Sequence, residues 1–306
     1  MDNSTAQPVT EQRNAKSGQL DQLSIPEIIR LMNEEDQTVA FSVQQSLPQI
    51  TLAVEAIVEV MKQGGRLFYV GAGTSGRLGV LDASECPPTF GVNRALVTGL
   101  IAGGETAITT AIENAEDDEE AGAKEIEAQI TASDAVVGIA ASGNTPYVIG
   151  AIRRARELGA LTAGVSCNAG TKLSQEAQYA IEVPVGPEVV TGSTRLKAGT
   201  ATKMVLNMIT TTAMIQLGKV YGNLMVNVQA TNEKLRDRVV RIVREATGVE
   251  HELAAAFAQQ AEGDARVAIL MIRFGVGKEK ALEALSQSGH HFGDSVTWLE
   301  NKKSLA

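Results

Sequence analysis

Short apolar runs alternate with longer amphipathic stretches through the middle of the chain. The runs cover residues 67–70, 95–101, 135–140, 161–165 and 180–183, and Gly-rich turns follow several of them. The stretches between the runs are mostly long enough for crossover helices, which join parallel strands. The pattern therefore predicts an α/β fold: a doubly wound, mainly parallel five-stranded sheet with helices on both faces.

Helical patterns flank this central region. The polar residues up to 23 predict a flexible arm, and the capping box Ser24-Ile25-Pro26-Glu27 predicts the start of a helix. A second apolar-periodic stretch runs from Val39 to Met61, so two helices are expected before the first strand. A long helix is predicted from Arg195 to Val220. Four helical stretches between residues 232 and 288 then predict a small unit of three or four helices.

Composition and charge narrow the possible functions. The 306 residues are 44% hydrophobic and 21% charged, which is typical of a globular protein. A net charge of -9 and only 4% aromatic residues argue against nucleic-acid binding. The chain has no signal-peptide pattern and no uncharged run of membrane-spanning length, and its two cysteines cannot form a disulfide framework. We expect a cytoplasmic protein that binds neither nucleic acid nor membrane.

The first glycine-rich loop follows a predicted strand and opens a helix. Its sequence, Gly71-Ala72-Gly73-Thr74-Ser75-Gly76-Arg77, matches the GxGxxG pattern of dinucleotide-binding folds. Such a fold also requires an acidic residue at the end of the second strand, where this chain has Leu100-Ile101-Ala102-Gly103-Gly104. A nicotinamide site is therefore disfavoured. An anion site at the helix N-terminus and a simple capped glycine turn both remain open.

A second hydroxyl-bearing loop favours the anion site. Ala140-Ala141-Ser142-Gly143-Asn144-Thr145-Pro146 also lies between a strand and a helix, and loops from neighbouring parallel strands meet at one sheet edge. A third loop, residues 191–197, adds hydroxyls and two cations, although Arg195 and Lys197 could equally be solvated charges. We predict a phosphate site formed by Gly73, Thr74, Ser75, Ser142, Gly143, Asn144, Thr145, Ser193 and Lys197.

Two carboxylates are candidates for proton transfer. Glu85 precedes Pro87-Pro88, which are expected to end the helix that starts at the first loop. Glu116 follows a helix predicted for residues 107–114 and begins an acidic run whose other members are expected to be solvated. Paired carboxylates without a metal-ligand set suit acid and base roles. We predict no metal or other cofactor, and the motifs of metalloproteases, serine hydrolases and P-loop NTPases do not occur.

Three blocks carry a family resemblance. They are Thr10-Glu11-Gln12-Arg13-Asn14, the twenty residues from Gly71 to Phe90, and Glu113-Asn114-Ala115-Glu116-Asp117-Asp118. Together they resemble the N-acetylmuramic acid 6-phosphate etherases, whose core is similar to the phosphosugar-binding sugar isomerase (SIS) domain. The vertebrate glucokinase regulatory protein is a relative.

The resemblance implies a specific reaction. It implies cleavage of the D-lactyl ether of N-acetylmuramic acid 6-phosphate by elimination and then hydration, giving N-acetylglucosamine 6-phosphate and D-lactate. It also implies that Glu85 protonates the departing lactate and that Glu116 is the base at C2. The residues by themselves predict a phosphosugar site with acid/base carboxylates, and only the resemblance selects ether elimination. A phosphosugar-sensing regulator and an aldose–ketose isomerase are the alternatives.

The resemblance also suggests a division of the chain and an assembly. SIS domains commonly pair, and the apolar helices of residues 39–61 and 195–220 offer surfaces for pairing, so we predict a homodimer. The expected parts are an N-terminal arm with helices over residues 1–56, a phosphosugar-binding domain over 57–220 and a helical module over 221–306.

Overall fold

The structure, a computed structural model, describes residues 7–228 and 233–303. The start of the predicted arm, residues 1–6, and the predicted first residue of a C-terminal helix, Asn232, lie outside these ranges. Internal contacts divide the chain into two units. One comprises Met1–Ser84 and Arg94–Thr210, and the other comprises Glu85–Asn93 and Thr211–Ala306.

The first unit contains the predicted sheet. Within the described residues its strands are β1 (Leu67–Gly71), β2 (Val97–Ile101), β3 (Ala135–Ile139), β4 (Leu161–Ser166) and β5 (Tyr179–Glu182). Their spatial order is β2-β1-β3-β4-β5, and every neighbouring pair is parallel. The predicted five-stranded α/β fold is confirmed, and the sheet is parallel throughout.

Helices surround this sheet and also form the second unit. Those that begin in the first unit are α1 (Ile25–Asp36), α2 (Val39–Gln45), α3 (Leu47–Lys62), α4 (Gly73–Phe90), α5 (Thr106–Thr109), α6 (Glu119–Gln129), α7 (Pro146–Glu157), α8 (Lys172–Glu176) and α9 (Lys197–Gln216). Those of the second unit are α10 (Glu233–Thr247), α11 (His251–Gln260), α12 (Ala265–Phe274), α13 (Lys278–Gln287) and α14 (Phe292–Lys303). Among the described residues, no helix combines the length and apolar character needed to span a bilayer.

Apolar side chains attach helices to both faces of the sheet. On one face, Phe68 and Val136 pack in a buried cluster with Ile126 of α6 and Ile152 of α7. On the other face, Gly79 of α4 packs against Tyr69 and Ile139: a Cβ at Gly79 would lie 2.9 Å from the Tyr69 Cβ and 3.2 Å from the Ile139 Cδ1. Strands covered on both sides must be apolar along their whole length, which is why the sequence shows continuous runs instead of alternation.

Residues 7–23 of the N-terminal arm are packed within the first unit, whereas their polar composition predicts a flexible arm. They form three short 3-10 turns, and Thr10 and Asn14 are buried. Asn168 holds Thr10 through a side-chain hydrogen bond of 2.9 Å to the Thr10 hydroxyl. The polar residues of the arm therefore satisfy buried hydrogen bonds, which a hydropathy pattern does not reveal.

Two helix predictions were wrong at their ends. α4 continues past Pro87 and Pro88 to Phe90: the two prolines remove amide donors, but the backbone stays helical and the Gly91 amide closes a turn on the Pro87 carbonyl at 2.9 Å. The helix predicted for residues 107–114 stops at Thr109. Extended backbone at Thr110 and a left-handed Asn114 (φ 62°) end it, in a stretch rich in β-branched residues.

Two helix counts also differ from expectation. The stretch from Val39 to Met61 is divided at Ser46, whose hydroxyl donates to the Glu182 carbonyl at 2.5 Å, so α3 starts anew before Pro48. In the second unit the described residues hold five helices instead of three or four. The additional helix, α14, buries Phe292 and Leu299. With Val296, these residues recur at helical spacing, but the helical stretches predicted from the sequence end at residue 288.

Candidate active site

The order of the strands determines where a ligand can bind. β1 lies between β2 and β3, so the connection after β1 runs to β2 on one side and the connection after β3 runs to β4 on the other, and the two loops diverge. In parallel sheets such a reversal opens a crevice at the carboxyl ends of the strands. The two hydroxyl-bearing loops predicted from the sequence follow these two strands, and Gly71 pairs in register with Ile139.

The loop after β1 turns directly into α4. The backbone of Gly73 is left-handed (φ 52°), and the helix begins at this residue, so Thr74 and Ser75 lie in its first turn. Both side chains are half-buried. The arrangement presents hydroxyls at the positive end of the helix dipole, which favours an anion.

The loop after β3 depends on a glycine. Gly143 has φ 70°, and a Cβ at this position would lie 2.3 Å from the Cβ of Thr171, so no other residue fits without displacement. The loop is further ordered by the Asn144 amide, which donates to the Ser142 hydroxyl at 3.2 Å. Thr145 stands at the N-cap of α7, and its side chain makes no capping hydrogen bond. Its hydroxyl therefore remains available to a ligand.

The third predicted loop leads into α9 and approaches the first loop. A Cβ built on Gly199 of α9 would lie 3.8 Å from the Cγ2 atom of Thr74. Ser193, in the loop itself, is half-buried, and its amide donates to the Val190 carbonyl at 3.0 Å. The start of α9 is thus a neighbour of the start of α4.

Lys197 has a buried ionic partner that the sequence analysis missed. Its ammonium lies 2.6 Å from the Glu35 carboxylate, and the two side chains are only 4% and 8% exposed. Lys16 also contacts this carboxylate, at 2.9 Å, and Asn14 donates to it at 2.9 Å. The predicted phosphate contact of Lys197 stays a prediction. It requires the ammonium either to move away from the Glu35 carboxylate or to contact the carboxylate and the phosphate together.

Glu188 occupies the N-terminus of α9. Its two carboxylate oxygens accept hydrogen bonds from the amides of Lys197 and Ala198, each at 3.0 Å. Burial raises the pKa of Glu188 above its ordinary value, and these amide hydrogen bonds oppose that shift. The first two amides of α9 are therefore already paired, so an anion in the crevice must rely on the other loops.

The packed arm reaches the same sheet edge. Asn168, which follows β4, donates from its side-chain amide to the Ala141 carbonyl at 3.0 Å as well as to the Thr10 hydroxyl. Ala141 immediately precedes Ser142. One end of the arm block, residues 10–14, is thus fixed beside the second hydroxyl loop, and its other end is fixed by Asn14 to Glu35.

Glu116 lines a cavity of about 420 Å³ in the first unit. Glu113, Asp117 and Arg77 also line it, together with Gly73 of the first loop. Glu116 lies in a short 3-10 turn directly after the left-handed Asn114. The cavity therefore joins the predicted base to the beginning of the first phosphate loop.

Glu85 belongs to the second unit by its contacts, and its side chain is exposed. One helical turn before it, α4 carries Asp82, which is buried and accepts hydrogen bonds from Asn207 at 2.6 Å and from Tyr69 at 3.0 Å. Burial raises the pKa of Asp82, while these hydrogen bonds lower it in part. The three side chains fix this part of α4 against β1 and α9.

Comparison with known proteins decides the family. Residues 49–156 match the model of the glucokinase regulatory protein N-terminal SIS domain, and residues 107–212 match that of the SIS domain. The N-acetylmuramic acid 6-phosphate etherase of Geobacillus sp. (strain WCH70) is 54% identical over 91% of this chain and 95% of its own length. That of Actinobacillus succinogenes is 55% identical over 93% and 94%. The chain belongs to the N-acetylmuramic acid 6-phosphate etherase family.

Several charged residues around the predicted loops make contacts that the sequence analysis overlooks. Neither Glu35 nor Glu188 is singled out there, and Arg77 is named only as the last residue of the first loop. Their roles depend on partners far away along the chain, such as the 162 positions that separate Glu35 from Lys197. The unusual charge of Lys197 in a hydroxyl-rich loop was the one local signal that could have pointed to a buried carboxylate.

The buried ion pair yields a stability prediction. Replacing Lys197 with Met leaves the Glu35 carboxylate buried beside fewer cations, so we expect the free energy of unfolding to fall by about 3 kcal/mol. The matched control is Lys16→Met, because Lys16 pairs with the same carboxylate but its side chain is 63% exposed. That change should cost at most about 1 kcal/mol. Denaturant unfolding of both variants measures the difference, and equal losses would contradict the prediction.

The same pair predicts a pH dependence. Burial acts to raise the pKa of Glu35, but hydrogen bonds from Lys197 and Lys16 outweigh it and bring the pKa from 4.5 to about 2. The stability gained from this lowered pKa is present above pH 4.5 and is lost as the pH falls towards 2. The free energy of unfolding of Lys197→Met, measured across this pH range, should therefore fall less on acidification than that of the parent.

Proposed function

We propose that this protein cleaves the D-lactyl ether of N-acetylmuramic acid 6-phosphate, giving N-acetylglucosamine 6-phosphate and D-lactate in the recycling of cell-wall sugar. The observation that carries this proposal is the identity of 54–55% with named etherases over more than nine-tenths of both chains. The enzyme is a carbon–oxygen lyase. A regulator or an aldose–ketose isomerase has no comparable support.

The proposed chemistry requires one base and one acid. Glu116 takes the C2 proton of the open-chain sugar, whose aldehyde acidifies that position. The electron pair forms a C2–C3 double bond, the bond from C3 to the lactyl oxygen breaks, and Glu85 protonates the departing lactate. Water then adds to the double bond. The cavity around Glu116 supports its role, because it connects that carboxylate to the first hydroxyl loop.

The phosphate group of the substrate is assigned to the two hydroxyl loops. Thr74 and Ser75 lie in the first turn of α4, and Thr145 at the start of α7 has no capping hydrogen bond. Support comes from the strand order, which brings the carboxyl ends of β1 and β3 side by side. The proposed phosphosugar-binding domain spans residues 57–220, between the arm with its helices (1–56) and the helical module (221–306).

The first test separates the two glutamates. The parent should release D-lactate from N-acetylmuramic acid 6-phosphate. Glu85→Ala should lose lactate release by about 10²- to 10⁴-fold and still exchange solvent deuterium into C2, whereas Glu116→Ala should lose both. Glu120→Ala, an exposed carboxylate of the same acidic run that pairs with Lys124, is the control and should retain both. A parent that releases no lactate would refute the proposed function. If Glu85→Ala lost C2 exchange and Glu116→Ala kept it, Glu85 would be the base and Glu116 the acid.

The second test concerns the phosphate. Ser75→Ala combined with Thr145→Val removes two charge-assisted hydrogen bonds and should raise KM at least about tenfold with little change in thermal stability. Ser84→Ala is the control on α4, because its hydroxyl already donates to the Leu81 carbonyl at 2.8 Å. An unchanged KM in the double variant would show that these hydroxyls do not bind phosphate.

We further propose that the enzyme is a cytoplasmic homodimer. Phe41 of α2 and Leu52 of α3 are 67% and 58% exposed and offer apolar surface for a subunit interface. Light scattering of the parent should give twice the mass of one chain, and Phe41→Glu with Leu52→Glu should give a monomer. Gln44→Glu, also exposed on α2, should leave the mass unchanged. A monomeric parent would refute the dimer, and cell fractionation tests the location.

A further inference from the structure

The cavity around Glu116 has an uneven distribution of charge. Among its described lining residues, Glu113, Glu116 and Asp117 are acidic, and Arg77 supplies the positive charge. An anionic group entering such a cavity is repelled by the carboxylates unless a cation lies close to it. Arg77 is therefore the residue that decides whether a second anion, besides the phosphate, can be accommodated.

Arg77 is held in a way that leaves its outer nitrogens available. It lies one turn after Gly73 on α4, and its Nε atom donates to the Ile108 carbonyl at 2.9 Å. Within the described residues, its two Nη atoms make no hydrogen bond or ion pair. A guanidinium fixed through Nε presents the Nη pair as a planar fork, the geometry that binds a carboxylate in a bidentate manner.

The proposed substrate brings a carboxylate to this cavity. If Glu116 removes the C2 proton here, the lactyl group on the adjacent carbon C3 must lie in the same cavity. The apolar wall formed by Ala107, Ala111 and Ile112 suits the methyl group of the lactyl unit. Its carboxylate then requires a cation.

We propose that Arg77 binds the lactyl carboxylate and thereby determines specificity for an acidic ether substituent. This inference rests on the proposed function. It assigns to Arg77 a direct substrate contact that is separate from the phosphate loops. It also explains why a cation is placed among three acidic residues.

The test compares two substrates that yield the same sugar product. One is N-acetylmuramic acid 6-phosphate, and the other is its analogue with a lactyl carboxamide. Formation of N-acetylglucosamine 6-phosphate is measured for both. Arg77→Gln should lower kcat/KM for the acid by about 10- to 100-fold and for the carboxamide by no more than about threefold. Arg77→Lys should recover part of the loss, because it keeps the charge without the fork.

Two comparisons make the outcome decisive. Arg154→Gln, a change in an arginine of α7 that pairs with Glu127 and Glu157, should leave both substrates unaffected. Equal losses of Arg77→Gln on acid and carboxamide would overturn the proposal, since Arg77 would then act only by holding the Ile108 segment. No product from the acid with the parent would instead refute the proposed function.

A measurement on the parent covers the case in which Arg77→Gln fails to fold. D-Lactate should inhibit the parent at a concentration at least about tenfold lower than D-lactamide, because only the carboxylate can use the guanidinium fork. Equal inhibition by the two compounds would overturn the proposal.

Discussion

The site depends on the parallel arrangement of the strands and on their order, in which β1 lies between β2 and β3. Parallel pairing sends every strand-to-helix loop to one edge of the sheet, and the order β2-β1-β3 separates the loops that leave β1 and β3. The proposed phosphate site uses both loops, and Gly71 and Ile139, which end the two strands, are paired in register.

Buried charge connects the periphery of the first unit to this edge. The Glu35 carboxylate of α1 receives Lys197 from the start of α9 and Asn14 from the arm, while Glu188 satisfies the first amides of α9. Such a network is costly when one member is removed, because the remaining charge stays buried. The network thus favours a single position for the arm and α9. At the other end of the arm block, the Thr10 hydroxyl accepts a hydrogen bond from Asn168, which lies beside the second loop.

The acidic cavity and the hydroxyl loops suggest a division of tasks. In the proposed reaction, the hydroxyls bind the phosphate dianion without adding fixed charge, the carboxylates exchange protons, and Arg77 supplies the positive charge of the described cavity lining. A reaction that loses a carbon-bound proton needs its base unpaired with a strong cation. Within the described residues, Arg77 donates through Nε to the Ile108 carbonyl and forms no ion pair with Glu116.

The sequence by itself determined the sheet, its five strands, the presence of flanking helices but not their number, and the two hydroxyl loops, because continuous apolar runs and glycine-rich turns are local signals. The block from Gly71 to Phe90 also pointed to the family, and the resemblance to that family suggested roles for Glu85 and Glu116. Only the tertiary structure decided the packing of the arm, the end of α4 beyond Pro88, the pairing of Lys197 with Glu35 and the place of Arg77. These features depend on partners distant along the chain, and a polar residue carries no local sign of the partner that will bury it.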